Sequence, residues 1–283
     1  MAVTSAPLLS STQAKEFKDL HKPGRPIVFA NIHDVSSLSA VLSLNTSTPG
    51  PVRAIATGSY AIAETLGVRD QDLTFEQHFA ALEPIAAHLR TVSSIPLSID
   101  LQDGYGARLE ESMQRAISLG AVGANIEDSI PERGFAAGVE GSLRSTEEQV
   151  RRIETALRVA AEMGVPDFVI NARTDVMALA PRPEGAVEET VKRGKAFLEA
   201  GATTVFVWGG RHGLSRAEVE RFVREFGGRL AVLLSSAEDG LTVEELAAIG
   251  VARISIGPSL WIKAMEAVKV AARRILAGGR LYA

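Results

Sequence analysis

Short hydrophobic runs recur along the chain and alternate with stretches whose apolar residues follow helical spacing. Each run is hydrophobic throughout and does not alternate with polar positions. Parallel strands that are covered on both faces have this continuous pattern. We therefore predict eight β-strands, at 26–30, 54–56, 97–101, 122–127, 168–171, 204–208, 230–234 and 253–256.

Helix start and stop signals lie between these runs. Thr74 and Gln77 form the pattern of a capping box, and Gly120 suits the left-handed position that ends a helix. The predicted helices occupy 12–21, 35–43, 61–66, 74–92, 108–119, 186–200 and 258–276, and further helices begin at 145, 215 and 242. A glycine-rich stretch at 128–144 reads as an irregular loop. A loop of that length inside a compact domain is more often functional than structural.

The alternation of eight strands with helices predicts a (β/α)₈ barrel of the TIM type, and 283 residues suit that fold. An open doubly wound α/β sheet is the alternative, but it would usually carry a glycine-rich phosphate turn after its first strand. Residues 30–33 contain no glycine. We predict one barrel domain over 1–283, with 1–25 as an N-terminal helical extension and 258–283 as a C-terminal helix.

Composition and charge exclude several classes of partner. The formal net charge is −4 and the isoelectric point is near 5.8, so we expect neither nucleic acid nor an anionic membrane as a partner. The chain has no cysteine, which excludes a thiolate nucleophile and cysteine-ligated metals. Because no stretch approaches the roughly 20 apolar residues that span a bilayer, we predict a cytoplasmic protein.

Polar side chains cluster where the predicted strands end, which is where barrel enzymes place their active sites. These residues are Asn31, His33, Asp34, Ser59, Asp100, Gln102, Glu127, Asp128, Asn171, Arg173, Trp208, Ser235 and Ser255. Asp100 and Glu127 follow neighbouring strands, so their carboxylates should converge. Converging carboxylates favour a cation or a proton between them, and Mg²⁺ or Mn²⁺ fits oxygen ligands. The alternative is a buried ion pair of Asp100 or Glu127 with Arg173.

Six motifs, in order along the chain, resemble those of the isocitrate lyase and phosphoenolpyruvate mutase superfamily. They are Gly-Ser at 58–59, Leu-Gly-Val-Arg-Asp at 66–70, Asp-Leu-Gln-Asp-Gly-Tyr-Gly at 100–106, Gly-Ala-Asn-Ile-Glu-Asp-Ser at 123–129, Asn-Ala-Arg-Thr-Asp at 171–175 and Gly-Val-Ala-Arg-Ile-Ser at 250–255. The resemblance implies a barrel whose last helix is swapped between the subunits of a homodimer or homotetramer. It also implies small α-oxo or α-hydroxy carboxylates as substrates and C–C or P–C bonds as the bonds that react.

The resemblance assigns roles to individual residues. Asp100 would bind Mg²⁺ directly, and Asp70, Gln102 and Glu127 would bind it through water. Ser59 and nearby backbone N–H groups would hold the substrate carboxylate near the metal, while Arg173 would bind a second acidic group. The expected substrate-binding residues are Gly58, Ser59, Arg173, Trp208 and His33, and the expected catalytic residues are Asp70, Glu127, Arg173 and Tyr60.

Three departures from the family pattern narrow the reaction. The loop at 128–135 lacks the cysteine motif of isocitrate-type lyases and the Lys and Asn of the mutases and phosphonopyruvate hydrolases. Residue 102, usually acidic, is Gln, which should weaken Mg²⁺ binding unless Asp103 compensates. An Asn that is often found at the end of the seventh strand is replaced within 230–232.

These observations lead to three hypotheses. The first is a Mg²⁺-dependent lyase or hydrolase that cleaves a C–C bond of an oxaloacetate-like 2-oxo or 2-hydroxy dicarboxylate through a metal-stabilised enolate. The second is a phosphonate mutase or hydrolase, and the third is a carboxylate-binding barrel without turnover. Candidates for the general acid or base are Tyr60, His33, Glu132 and His212.

Overall fold

The structure is a computed structural model that describes residues 6–210 and 213–281. Its centre is a parallel eight-stranded sheet in the order β1-β8-β7-β6-β5-β4-β3-β2. The strands are β1 (Ile27–Phe29), β2 (Ile55–Ala56), β3 (Leu97–Asp100), β4 (Ala121–Glu127), β5 (Val169–Thr174), β6 (Thr204–Val207), β7 (Leu230–Leu233) and β8 (Arg253–Ser255).

The sheet closes between its two end strands. Ile32, just after β1, pairs in parallel with Thr57, just after β2. The Ile32 N–H donates to the Ala56 carbonyl at 2.9 Å, and the Gly58 N–H donates to the Ile32 carbonyl at 3.1 Å. These bonds complete a barrel and confirm the predicted (β/α)₈ fold.

Helices surround the barrel in the predicted alternation. They are α1 (Ala6–Asp19), α2 (Val35–Leu42), α3 (Ser59–Thr65), α4 (Phe75–Val92), α5 (Leu109–Ser118), α6 (Gly138–Ser142), α7 (Thr146–Glu162), α8 (Ala186–Glu199), α9 (Arg216–Glu225), α10 (Val243–Ile249) and α11 (Ser259–Leu276). Thr74 and Gln77 form the predicted capping box at the start of α4. Among the described residues, the structure contains no helix that could cross a membrane.

The N-terminal helix packs against one side of the barrel. Phe17 of α1 is fully buried, and a Cβ at Gly123 of β4 would lie 2.6 Å from its ring. Further along, the His21 Nδ1 bonds to the Phe17 carbonyl at 2.8 Å, so its Nε2 is free to accept a hydrogen bond from Arg253 Nη1 at 3.4 Å. Arg253 is a wholly buried arginine of β8, and the segment that follows α1 therefore contacts a polar side chain inside the protein.

Two segments differ from the expectation. β5 extends to Thr174, so Asn171 lies within the strand and is buried, where it donates to Asn125 Oδ1 at 2.8 Å. The predicted irregular loop at 128–144 contains the helical turn Pro131–Arg133 and the short helix α6. α6 was not predicted because it is short and contains Gly138 and Gly141, and glycine has a low helix propensity.

The C-terminal helix stands apart from the barrel wall. Every residue of α11, which the structure describes in full, is at least partly exposed, including Ile262, Met265 and Val268. Val28, the outward-facing residue of β1, is 39% exposed, although both its neighbours are buried. The outer face of β1 therefore lacks the helical cover that a complete barrel would give it.

Candidate active site

Asp100 ends β3 and faces the start of α3. Its Oδ2 accepts hydrogen bonds from the Ser59 N–H and the Ser59 hydroxyl, both at 3.2 Å. Its own N–H donates to the Thr57 hydroxyl at 3.0 Å. The helix begins at Ser59, two residues earlier than predicted, because Gly58 takes the extended N-cap conformation. This start places the Ser59 donors directly beside the carboxylate.

Gln102 links the β3 end to Asp70. Its Nε2 donates to the Asp70 carbonyl at 2.7 Å and to Asp70 Oδ1 at 2.9 Å. Burial, and then the charge of Asp100, raise the pKa of Asp70 above its usual value. The amide of Gln102 thus stabilises one of two crowded carboxylates, which a carboxylate at 102 could not do.

Asp103 does not take the place of the missing acidic residue. It is only 4% exposed, and it accepts from the Tyr105 N–H at 2.9 Å and the Gly106 N–H at 3.1 Å. Arg144 donates to its Oδ2 at 2.7 Å. Asp103 could compensate for Gln102 only if the turn exposed it, and this condition is not met, because its carboxylate is buried and holds the turn itself.

On the neighbouring strands, Glu127 and Arg173 form an ion pair. Glu127 Oε2 lies 2.8 Å from Arg173 Nη1, and the Ser129 hydroxyl donates to Glu127 Oε1 at 2.8 Å. Burial raises the pKa of Glu127 well above its usual range, and the charges of Asp175, Asp100 and then Asp70 act in the same direction, against Arg173. The ion-pair alternative is thus present between Glu127 and Arg173, and the charge of Asp100 also acts on Glu127.

Arg173 is held from three sides. Its Nε and Nη2 donate to the two carboxylate oxygens of Asp175 at 2.6 and 3.0 Å. The Trp208 ring stacks over the guanidinium, with 4.3 Å between Cζ and the ring centroid. Asp175 therefore occupies one of the two edges that could bind a carboxylate in bidentate fashion, the Nε and Nη2 edge. Sequence reasoning missed Asp175 although it closes the motif at 171–175.

Behind Asp175 lies a second buried carboxylate that sequence reasoning placed at the mouth. Asp128 is fully buried and accepts from the Asp175 N–H at 3.0 Å, the Thr174 hydroxyl at 2.8 Å and Arg193 Nη1 at 3.1 Å. Burial, followed by the charge of Asp175, raises the pKa of Asp128 to about 6. Asp128 therefore does not face the barrel mouth as predicted; it holds the backbone of Asp175 from the protein interior.

The other candidates surround this centre in different ways. The half-buried His33 has a ring Nδ1 without a hydrogen-bond partner among the described residues, and burial lowers its pKa. Tyr60 is 41% exposed and lies edge-on to Trp261 at the start of α11, with 6.3 Å between the ring centroids. Glu132 is exposed on the loop after β4. His212 lies outside the described residues.

The donor set fits a hard divalent cation bound largely through water. No three His, Cys, Asp or Glu side chains within residues 6–210 and 213–281 are close enough together to form a direct metal cluster. Asp100 offers one carboxylate at the end of β3. Burial, together with the charges of neighbouring carboxylates, raises the pKa values of Asp70 and Glu127. Mg²⁺ commonly keeps several waters and binds through one or two carboxylates, so these residues suit it.

Comparisons with known proteins match this chain along most of its length. A 2-methylisocitrate lyase of Escherichia coli K12 is 28% identical over 198 residues, which cover 66% of this chain and 62% of that protein. An uncharacterised Mycobacterium tuberculosis H37Rv protein is 28% identical over 265 residues, 94% of this chain and 90% of its own. A provisionally assigned phosphonomutase of Burkholderia cenocepacia J2315 has a solved structure with a TM-score of 0.79 and 31% identity, covering 92% of this chain and 99% of its own.

The family model described as phosphoenolpyruvate phosphomutase matches residues 17–276. That range contains every strand of the barrel and every residue of the candidate site. The relatives named above include a lyase and a phosphonomutase, in agreement with the motifs. The chain therefore belongs to the phosphoenolpyruvate phosphomutase family, within the isocitrate lyase and phosphoenolpyruvate mutase superfamily of lyases and mutases.

Proposed function

We propose that this protein is a Mg²⁺-dependent lyase or hydrolase that cleaves a C–C bond of a small 2-oxo or 2-hydroxy dicarboxylate, with oxaloacetate as the simplest model. The observation that carries the proposal is the grouping of Asp70, Asp100 and Glu127 beside one arginine at the barrel mouth. Crowded carboxylates suit a divalent cation, and a cation held there would stabilise negative charge that develops at a substrate oxygen. The family membership supports the same reaction class.

Magnesium would be held directly by Asp100 and through water by Asp70, Gln102 and Glu127. When bound, it would polarise the 2-oxo group and stabilise the enolate charge. Mn²⁺ has similar ligand preferences and is an acceptable substitute.

The substrate carboxylate would lie against Ser59. The Ser59 hydroxyl and N–H, which donate to Asp100 in the structure, would turn towards the 1-carboxylate together with the backbone at Gly58. Trp208 and His33 would line the adjoining space. Arg173 keeps N–H groups beyond those bound to Asp175, and these would receive the distal acidic group.

The buried carboxyl groups of Asp70 and Glu127 are the candidate proton donors. In decarboxylation of oxaloacetate, the C3–C4 bond would break, its electron pair would form the enolate, and CO₂ would leave. The enolate carbon then needs a proton. Asp70 and Glu127 have raised pKa values, so each holds a proton at a higher pH than an exposed carboxyl, and Tyr60 lies next to Ser59 at the same mouth.

The first test is calorimetric titration with oxalate, a planar mimic of the pyruvate enolate. We expect the wild type to bind oxalate only with Mg²⁺, and Asp100→Ala to abolish this binding. Oxaloacetate should then disappear faster with protein and Mg²⁺ than with Mg²⁺ alone. Metal-dependent oxalate binding without any product from 2-oxo acids would instead indicate a carboxylate-binding barrel that lacks turnover.

A phosphonate mutase or hydrolase is the second candidate. The 31% identity with the Burkholderia cenocepacia structure favours it. Phosphorus NMR of phosphonopyruvate and phosphoenolpyruvate incubated with the protein and Mg²⁺ separates the two candidates. Neither spectrum should change if C–C cleavage is the activity.

We also propose that the protein is a homodimer or homotetramer in which α11 packs on the barrel of a second copy. The exposed apolar residues of α11 and the uncovered Val28 support this arrangement, because each supplies the surface that the other lacks. In this reading the chain is one barrel domain with an N-terminal helical extension and an exchanged C-terminal helix.

A further inference from the structure

The candidate site is built from two halves on different strands. One half is the turn after β3, which carries Gln102 beside Asp100. The other is the cluster at the ends of β4 and β5, in which Glu127 and Asp175 hold Arg173. Arg144, the residue just before the N-cap of α7, contacts both halves.

The side chain of Arg144 serves the first half. Its Nη2 donates to Asp103 Oδ2 at 2.7 Å, and its Nη1 donates to Glu148 at 2.7 Å. Asp103 in turn holds the Tyr105 and Gly106 N–H groups. Gln102 and Tyr105 have φ values of 54° and 61°, in the left-handed region that non-glycine residues avoid. Such a turn persists only where surrounding contacts hold it, so the Asp103 carboxylate and its partner Arg144 maintain the conformation that presents Gln102.

The backbone of Arg144 serves the second half. Its N–H donates to the Asp128 carbonyl at 2.8 Å, and its carbonyl accepts from Arg193 Nη1 at 2.8 Å. The same Arg193 nitrogen donates to the Asp128 carboxylate, which holds the Asp175 N–H. The Asp128 N–H also donates to the Arg173 carbonyl at 3.1 Å, so Asp128 alone connects the Arg144 backbone with the Arg173 backbone.

We propose that Arg144 is a positioning residue that holds the two halves of the site in register, so that the metal-facing turn and Arg173 keep one fixed separation. Its side chain is only 13% exposed and pairs with the buried Asp103, which makes this link less screened than a surface ion pair. The inference rests on the proposed function only where ligand binding is its readout.

Arg152 provides a matched control. It lies on α7 and donates from Nη1 to the Gly106 carbonyl at 2.8 Å and from Nη2 to the Asp103 carbonyl. It therefore supports the β3 turn, as Arg144 does, but its hydrogen bonds do not extend to the β4 and β5 cluster. Arg144→Met and Arg152→Met remove the same charge from the same turn. In Arg144→Met the lost anchor lies on the residue whose backbone bonds to Asp128 and Arg193, so release of that backbone from Asp103 should also loosen the β4 and β5 cluster.

The test is amide hydrogen exchange by mass spectrometry on the ligand-free protein. In Arg144→Met, we expect peptides covering 102–106 and 173–176 both to exchange faster by about tenfold, the effect of losing about one charge-assisted hydrogen bond. Arg152→Met should accelerate 102–106 alone. Strand β7, distant from both halves, should be unchanged in either variant. Arg144→Lys, which keeps a charge able to reach Asp103, should lie between wild type and Arg144→Met and also serves if Arg144→Met does not fold.

Ligand binding gives the second readout. Mg²⁺-dependent oxalate binding should weaken roughly tenfold in Arg144→Met and recover in part in Arg144→Lys. Faster exchange in only one half, or equal acceleration in β7, would overturn the proposal, because Arg144 would then be a local or a general stability contact. Absence of oxalate binding in the wild type would count against the proposed function, while the exchange pattern would still decide the role of Arg144.

Discussion

The side-chain amide of Gln102 donates hydrogen bonds to Asp70. A carboxylate at the same position would repel the Asp70 carboxylate. The amide donates twice to Asp70 and leaves fewer negative charges around the predicted metal position. Each removed charge lowers the attraction for Mg²⁺ but relieves crowding in the metal-free protein. Gln at position 102 therefore lowers the affinity for the metal and raises the stability of the metal-free protein.

Gln102→Glu should raise the affinity for Mg²⁺ and lower the stability of the metal-free protein. We expect Mg²⁺ to bind about tenfold more tightly at pH 8, because one more carboxylate faces the cation in a partly buried site. Metal-free Gln102→Glu should melt at a lower temperature than wild type, and Mg²⁺ should restore the difference. Isothermal calorimetry and thermal melts with and without Mg²⁺ measure both effects.

Gln71→Glu is the control for Gln102→Glu, since it adds the same charge at the neighbouring exposed Gln71. It should change Mg²⁺ affinity little, because solvent screens an exposed charge. Equal or weaker Mg²⁺ binding in Gln102→Glu would contradict a metal site at this position.

Single residues also mark the limit of sequence reasoning. Asp100, Glu127 and Arg173 could be identified because each lies at or near the end of a predicted strand. The contact of Asp128 with Arg193 joins positions 65 residues apart in sequence, and no local pattern indicates it. Asp103 could not be assigned to the turn or the metal from sequence, because two left-handed residues, Gln102 and Tyr105, decide its direction.

At the scale of elements, local signals predicted the strands and capped helices well. The capping boxes before α4, α9 and α10 are all present, since a cap depends on residues three positions apart. The end of β5 was predicted too early because Arg173 and Thr174 look like loop residues. Their side chains bond to Asp175 and Asp128, and these contacts keep them in the strand.

The contact between the α1 segment and β8 gives a prediction on pH. Burial, followed by the charge of Arg253, lowers the pKa of His21 from 6.5 to about 3. The unfolded chain therefore binds a proton at this site between pH 6.5 and 3 that the folded chain does not bind. The free energy of unfolding should rise with pH across that window, and this contribution is lost as the pH falls from 6.5 towards 3.

His21→Gln should remove this pH dependence, because Gln can still accept from Arg253 but does not titrate. Urea unfolding at pH 7.5, 6.5, 5.5 and 4.5 measures the difference between wild type and variant. We expect the wild type to lose stability relative to His21→Gln as the pH falls. A constant difference would show that His21 titrates alike in both states. His88→Gln, on α4 and outside the contact of His21 with Arg253, is the control and should follow the wild type.

At the scale of the whole molecule, the strands of the barrel form a closed hydrogen-bonded ladder, but helices do not cover the whole outer surface of the barrel. The strand ladder closes through Ile32 and Thr57, whereas α11 leaves its apolar residues and the outer face of β1 to solvent. Isolated apolar residues on a surface are ordinary, but an uncovered helix opposite an uncovered strand indicates a missing partner surface. In the homo-oligomer proposed above, a second copy of the chain would supply both surfaces, because a symmetric exchange of α11 would cover each barrel with the helix of the other.

Val268→Glu tests that arrangement. Val268 is 60% exposed in the single chain, and a second copy packed on α11 would bury it. Placing a charge there should shift the protein to monomer, since an unpaired buried charge costs several kcal/mol. Lys263→Glu changes the charge of the same helix at an exposed polar position and should leave the assembly intact. Sedimentation velocity decides between the outcomes: a wild type that is itself monomeric, or a Val268→Glu variant that remains a dimer or tetramer, would exclude α11 as the interface.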